Sequence, residues 1–204
     1  MLTIIDYKMI NLGSILNMLK KVGVKELVVA SSTKEILAAS KIIMPGVGSF
    51  DQAIQRINSL KILEVLKEKA LIEQIPFLGI CLGMQLMTNS SEEGELPGLG
   101  LIDAHVKKFS FSKDNNFKIP HMGWNQVYIS KKTKLFNDED IKRFYFVHSY
   151  YVECNNKSDI FLTTKHGNDF TSGFEHKNLI GVQFHPEKSH IYGFNLFKNF
   201  VENY

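Results

Sequence analysis

Over the first half of the chain, compact apolar runs alternate with longer segments whose apolar residues recur every three or four positions. Leu2–Ile5 is short and apolar throughout, the pattern of a strand buried on both faces. Leu12, Ile15, Leu16 and Leu19 then fall on one side of a helix that Gly23 stops. The same rhythm predicts strands over Leu27–Ala30, Lys41–Met44 and Phe77–Ile80. Between them it predicts a short helix, capped within Ser31–Thr33 and running to Ala39, and a long one from about Asp51 to Ala70. The long one carries Ala53, Ile54, Ile57, Leu60, Leu63 and Leu66 on its apolar face. Strand–helix alternation of this kind builds a parallel sheet with helices on both faces. Ligands of such sheets sit beyond the carboxyl ends of the strands, where this chain places three polar or Gly-rich loops: Asp6–Asn11, Pro45–Ser49 and the turn around Cys81.

After a polar, Gly-rich loop over Ser90–Gly100 the rhythm changes. Short alternating or apolar runs at Leu101–Val106, Trp124–Ile129, Phe144–Phe146, Tyr150–Glu153 and Ile160–Thr164 predict antiparallel strands that extend the sheet. Ser110–Asn116 reads as a mobile loop. Asn178–Phe184 is one more strand, and a helix from Ser189 or His190 to about Val201 follows it. The expected architecture is α/β: three layers, a mostly parallel open sheet with flanking helices, and an antiparallel extension. Without a linker, repeat or low-complexity tract, residues 1–204 are expected to form one domain.

A net charge of +3 is too small to imply a nucleic-acid partner by itself, and the lysines are scattered. Two cysteines, Cys81 and Cys154, are no disulfide framework for 204 residues, which points to a reducing compartment. The N-terminal segment lacks the basic and apolar regions of a signal peptide, and no apolar run is long enough to span a membrane. A cytoplasmic protein is expected. The histidines lack metal-ligand spacing, so neither a metal nor a cofactor is implied, and His121, His166 and His176 are expected to be packed or solvent-facing. Cys154 reads as a packing or surface thiol.

The chemistry concentrates at Pro76–Met87. Gly79-x-Cys81-x-Gly83, placed between an apolar strand and a helix, is the cysteine form of a nucleophile elbow. The turn lifts the thiol above the sheet edge, and the amides at the start of the next helix favour a thiolate. A lone Cys in such a run is ordinarily a buried packing residue; the flanking glycines argue for the elbow. A Cys nucleophile needs a base and a group to orient it. His185 ends an apolar strand, and Pro186 keeps it extended. Glu187, two positions on, falls on the same side of an extended chain. Taken alone, His185-Pro186-Glu187 reads more readily as a surface turn; the cysteine elbow turns the reading to catalysis. Acyl transfer also requires two N–H groups aimed at the developing oxyanion. Leu82 supplies one, and Pro45-Gly46-Val47-Gly48 can turn the Val47 N–H inward for the second. That Gly loop lacks the spacing of a phosphate-binding loop.

Gly79-Ile80-Cys81-Leu82-Gly83-Met84-Gln85 together with Gln183-Phe184-His185-Pro186-Glu187 resembles the class I (triad) glutamine amidotransferases. Further segments are similar, more closely, to the glutaminase subunits of imidazole glycerol phosphate synthase. They are Asp6-Tyr7, Asn11-Leu12, Pro45–Gly48, Pro120–Asn125, Phe144–Tyr150 and Lys188-Ser189. The resemblance implies that Cys81 attacks the carboxamide of glutamine, His185 protonates the departing ammonia and Glu187 orients His185. It implies that Gly48, Gln85, His148, Ser149 and Tyr150 hold glutamine. Asn11, Met122, Trp124 and Lys188 would lie at or near the face of a (β/α)₈ cyclase partner that receives the ammonia in a heterodimer. Trp124 as a core aromatic and Lys188 as a solvated charge are the plainer alternatives. One departure is visible: the family's first loop usually reads Asp-Tyr-Gly-x-Gly-Asn-Leu, and here Lys8 and Ile10 replace the two glycines. This departure keeps open an ammonia donor for amidation of a bacterial surface sugar. A silent regulatory subunit or another thiol hydrolase would be the remaining alternatives.

Overall fold

In the computed structural model, residues 1–9, 12–111, 117–136 and 142–204 are described. The strands are β1 (Leu2–Ile5), β2 (Leu27–Ala30), β3 (Lys41–Gly46), β4 (Phe77–Cys81), β5 (Ser90–Ser91), β6 (Ala104–Lys108), β7 (His121–Ile129), β8 (Lys142–His148), β9 (Tyr150–Cys154), β10 (Ile160–His166), β11 (Asn168–His176) and β12 (Leu179–Val182). The helices are α1 (Leu12–Val22), α2 (Thr33–Leu37), α3 (Phe50–Ser59), α4 (Leu63–Lys67), α5 (Leu82–Leu86) and α6 (His190–Asn203). The main sheet runs β2-β1-β3-β4-β12-β11-β10-β7-β8. It is parallel from β2 to β12 and antiparallel beyond. Strand alternation sends Ile5, Ile42, Met44 and Phe77 into a core with α2 to α5. It sends Ile4, Ile43, Leu78 and Ile180 into a second core with Ile15 and Leu19 of α1 and Leu196, Phe197 and Phe200 of α6. This is the expected three-layer α/β architecture with its antiparallel extension.

Besides the two-residue β5 inside the loop expected over 90–100, two elements differ from their sequence patterns. The long helix expected over 51–70 breaks after Ser59. Lys61 takes a left-handed conformation (φ 54°), and the Ile62 N–H reaches back to the Ile57 carbonyl, which turns Ile62 fully into the core. Leu60 and Leu63 kept the helical period across the break, so the pattern hid it. Strand β11 was not expected at all. Its centre is buried but polar, and Thr171 and Ser172 interrupt any apolar alternation. The Ser172 hydroxyl is satisfied by the Thr164 hydroxyl at 2.8 Å, which is how a polar residue is tolerated there.

Candidate active site

The carboxyl ends of β3, β4 and β12 meet at one place, since Gly46 pairs with Cys81, and Val182 with Ile80. Cys81 ends β4 and α5 starts at the next residue. The sharp turn is carried by Cys81 itself, at φ 53° and ψ −112°, and not by its glycines. The glycines serve close approach instead. A Cβ on Gly79 would meet Met84 Cα at 2.9 Å, and one on Gly83 would overlap the Met44 carbonyl. Leu82 opens α5, so its N–H is among the amides without an intrahelical acceptor.

His185 follows β12 and is buried. Its Nδ1 lies 2.7 Å from Glu187 Oε1. The contact is made through a 3₁₀ turn at Pro186–Lys188, not through extended chain as the i, i+2 spacing predicted. The turn is pinned by the Ser189 hydroxyl, which donates to the His185 carbonyl at 2.6 Å and accepts the Tyr145 N–H at 3.0 Å. His185 Nε2 is buried with no hydrogen-bond partner. Burial pushes the imidazole towards neutrality, but the Cys81 sulfur and the Glu187 carboxylate outweigh it and raise the pKa to about 10. The ring lies between sulfur and carboxylate, both of which favour its cationic form.

A cavity of about 670 Å³ opens over Cys81. It is lined by Val47, Gly48, Leu82, Gln85, His148, Ser149, Tyr150 and His185, so it gathers the residues expected to bind glutamine and to form the oxyanion hole. Two of these differ in detail from expectation. The Val47 N–H does not face the cavity as a free donor; it is bonded to the Met9 carbonyl at 2.9 Å. His148 has no ring nitrogen to spare: Nδ1 bonds the Tyr150 carbonyl (2.7 Å) and Nε2 bonds His121 Nδ1 (2.9 Å). It shapes the pocket wall and leaves any polar contact with a ligand to its neighbours. Two lining or adjoining residues escaped sequence reasoning. Glu93 lines the cavity from the polar 90–100 loop, with Oε2 taking the Phe50 N–H at 3.0 Å, and its burial raises its pKa. Gln183, inside the motif next to His185, donates to Cys81 Sγ at 3.7 Å. No periodicity marks Glu93; Gln183 was betrayed only by being polar in an apolar strand.

A smaller cavity of about 280 Å³ lies across the Pro45–Val47 segment, lined by Ile15, Ile80, His185, Glu187 and Lys188. Beside His185 the surface is apolar and aromatic: Met122 is 61% and Val47 42% exposed, and Trp124, 40% exposed, stacks on His190 at 5.6 Å. Lys188 Nζ lies over the Tyr145 ring at 5.7 Å. Trp124 is thus a surface aromatic and Lys188 sits on this face, while Asn11 and Ile10 lie outside the described residues. Lys8 is described, and its φ of 67° is left-handed. The position does want a glycine-like backbone, at a cost of about 1 kcal/mol for a side chain. Asp6 offsets that cost by taking the Lys8 N–H and Nζ, both at 2.8 Å. Cys154 is a packing thiol, with burial first among the causes that raise its pKa to about 12. Among the described residues, no group of three His, Cys, Asp or Glu is arranged to hold a metal ion, and no helix is long and apolar enough to cross a membrane.

An open, partly parallel sheet that presents a strained cysteine beside a histidine–carboxylate pair marks a class of α/β proteins, one with the groups that acyl transfer at sulfur requires. The sequence model of the family "Glutamine amidotransferase class-I" matches residues 3–203, and the chain belongs to that family. It is 51% identical to imidazole glycerol phosphate synthase subunit HisH 2 of Methanococcus maripaludis, over 99% of both chains. It is 44% identical to the subunit HisH 2 of Pseudomonas aeruginosa, again over 99% of both. Among solved structures, one described as a glutamine amidotransferase superimposes with a TM-score of 0.75 at 14% identity, over 98% of this chain and 97% of that one. PurLQS from Thermotoga maritima gives 0.70 at 16%, over 98% and 96%. These two share the fold.

Proposed function

We propose that this chain is the glutaminase subunit of an imidazole glycerol phosphate synthase, hydrolysing glutamine and handing ammonia to a cyclase subunit for histidine biosynthesis. The observation that carries the reading is identity of 51% over the whole length to a subunit of that name. Residues 1–204 act as one glutaminase domain, in the cytoplasm, where a reactive thiol such as Cys81 stays reduced.

In this reading Cys81 attacks the glutamine carboxamide as a thiolate, and the cationic His185 gives its proton to the departing ammonia. Water then releases glutamate from the thioester, with His185 as base and Glu187 holding its tautomer. Leu82 N–H stabilises the oxyanion at once. Val47 N–H joins it only on leaving the Met9 carbonyl, so the isolated chain is a weak glutaminase. Met9 belongs to the loop that Lys8 shapes, and its carbonyl holds the Val47 peptide. A cyclase docked against exposed Val47, Met122 and Trp124, with Lys188 on the same face, bears directly on that peptide. Ammonia leaves past His185 through the smaller cavity. Gly48, Ser149, Tyr150, Gln85 and Glu93 line the cavity that would hold glutamine, with the Gln85 and Glu93 side chains as acceptors for its α-ammonium group.

Glu93→Gln is expected to raise KM for glutamine about tenfold, with kcat changed less than twofold, in a steady-state glutamate assay. An unchanged KM would remove Glu93 from the substrate site.

The reading is tested by glutamate release from the chain alone, with the histidine-pathway cyclase of the same genome, and with that cyclase plus its nucleotide substrate. Cys81→Ala is the blank. Stimulation of about 10²-fold or more by the liganded cyclase is expected, as two oxyanion donors replace one. One observation favours a second reading, ammonia donation to amidation of a bacterial surface sugar: Lys8 alters the loop that bears on Val47. Robust glutaminase activity indifferent to the histidine-pathway cyclase would select it.

A further inference from the structure

A directed network of hydrogen bonds runs from β7 to the sulfur. The Asn125 amide is oriented by the Gln126 N–H on Oδ1 (2.8 Å), and its Nδ2 donates to the Lys165 carbonyl (2.9 Å) and to His121 Nε2 (3.0 Å). His121 therefore accepts at Nε2 and donates from Nδ1 to His148 Nε2. His148 in turn donates from Nδ1 to the Tyr150 carbonyl. Both rings are neutral, since burial lowers His121 to about 4 and His148 to about 3. Gln85 Nε2 places one hydrogen on the same Tyr150 carbonyl (3.1 Å) and the other on Gln183 Oε1 (3.1 Å). With Oε1 fixed as the acceptor, Gln183 must present Nε2–H to Cys81 Sγ. Gln183 is fully buried, between the equally buried Val182 and Phe184. An apolar side chain would satisfy the packing at lower desolvation cost, so the amide has another use.

We propose that Gln183 is a positioning residue for the nucleophile: its amide N–H holds the Cys81 sulfur in place and favours its anionic form, and the Asn125–His121–His148–Tyr150–Gln85 network fixes which end of the amide faces the sulfur. The inference rests on Cys81 being the nucleophile and not on the identity of the partner. A donor to the charged form stabilises that form, and a fully satisfied buried network holds one orientation.

The test is the rate of Cys81 alkylation by iodoacetamide against pH, read at the Cys81 peptide by mass spectrometry. Gln183→Met keeps the volume and removes the donor. Gln183→Glu keeps the shape and places a carboxyl group against the sulfur, and it carries the test if the methionine variant does not fold. The alkylation midpoint is expected to rise by about one pH unit in Gln183→Met and further in Gln183→Glu. Glutaminase kcat at neutral pH should fall about tenfold in Gln183→Met, with KM within twofold. A midpoint equal to that of the parent protein would make Gln183 a packing residue and overturn the proposal, whatever the activity. Alkylation shifts without glutamate release from the parent protein, alone or with a cyclase, would sink the glutaminase reading and leave this inference standing.

Discussion

Cys81→Gly will be more stable than Cys81→Ala, by about 1–3 kcal/mol, and neither will release glutamate. The order reverses the usual one, in which glycine inside regular structure is worse than alanine by roughly 1 kcal/mol. The reason is the backbone of Cys81, at φ 53° and ψ −112°, where any side chain with a Cβ is strained. Both substitutions delete the sulfur and leave the His185–Glu187 pair in place, so their difference isolates the turn. Urea denaturation of the two variants measures it. Equal stabilities would mean that the turn stores no strain. Loss of glutamate release in both, by about 10⁴-fold or more, is read in the presence of the cyclase, where the parent activity is highest.

Gly83→Ala should cost about 3 kcal/mol or more, measured by the same denaturation. A Cβ there overlaps the Met44 carbonyl oxygen and comes within 2.8 Å of its carbon and 3.4 Å of the Pro45 carbon. These are backbone atoms of β3, held to β4 by the pairing of Met44 with Gly79 and of Pro45 with Ile80. No rotamer change relieves the overlap, so either α5 or the end of β3 must move. Both carry groups of the proposed oxyanion hole. Folded Gly83→Ala is therefore expected to lose about 10²-fold in kcat, the usual consequence of a misplacement near 1 Å. Retained stability together with retained kcat would show that α5 shifts freely over β3.

The legible parts of this protein were those in which chemistry demands neighbours in sequence. Gly79, Cys81 and Gly83 fall within one turn, His185 and Glu187 within another, and the parallel half of the sheet announced itself by alternation. Strand β11 was illegible because Thr171, Ser172 and Gly173 fill its buried centre between Phe170 and Phe174, with the Thr164 hydroxyl satisfying Ser172. The break at Leu60–Ile62 was illegible because helical spacing survives a left-handed residue when the next element resumes in phase. The direction of the Val47 N–H could not be read because a peptide's orientation is set by its acceptor, the Met9 carbonyl, from a distant segment. Glu93 reaches the cavity from a loop whose composition is merely polar. At Lys8 the departure from glycine is visible in the sequence, but its compensation by Asp6 depends on the fold of the loop, which no residue pattern marks.

The last strand to be made, β12, is inserted between β4 and β11. Through it Cys81 acquires both its imidazole and its amide donor from residues such as Gln183, 102 positions further along the chain. Pairings at that separation form late, because loop closure must precede any gain. On the proposed reading, the thiol is thus made on the ribosome long before the groups that make it reactive, and no glutamine is consumed by an unfinished chain. By the same reading, a lesion that keeps β12 out of the sheet is expected to leave an idle cysteine and no unregulated source of ammonia. Quality control of the nitrogen supply is in this sense a property of strand order.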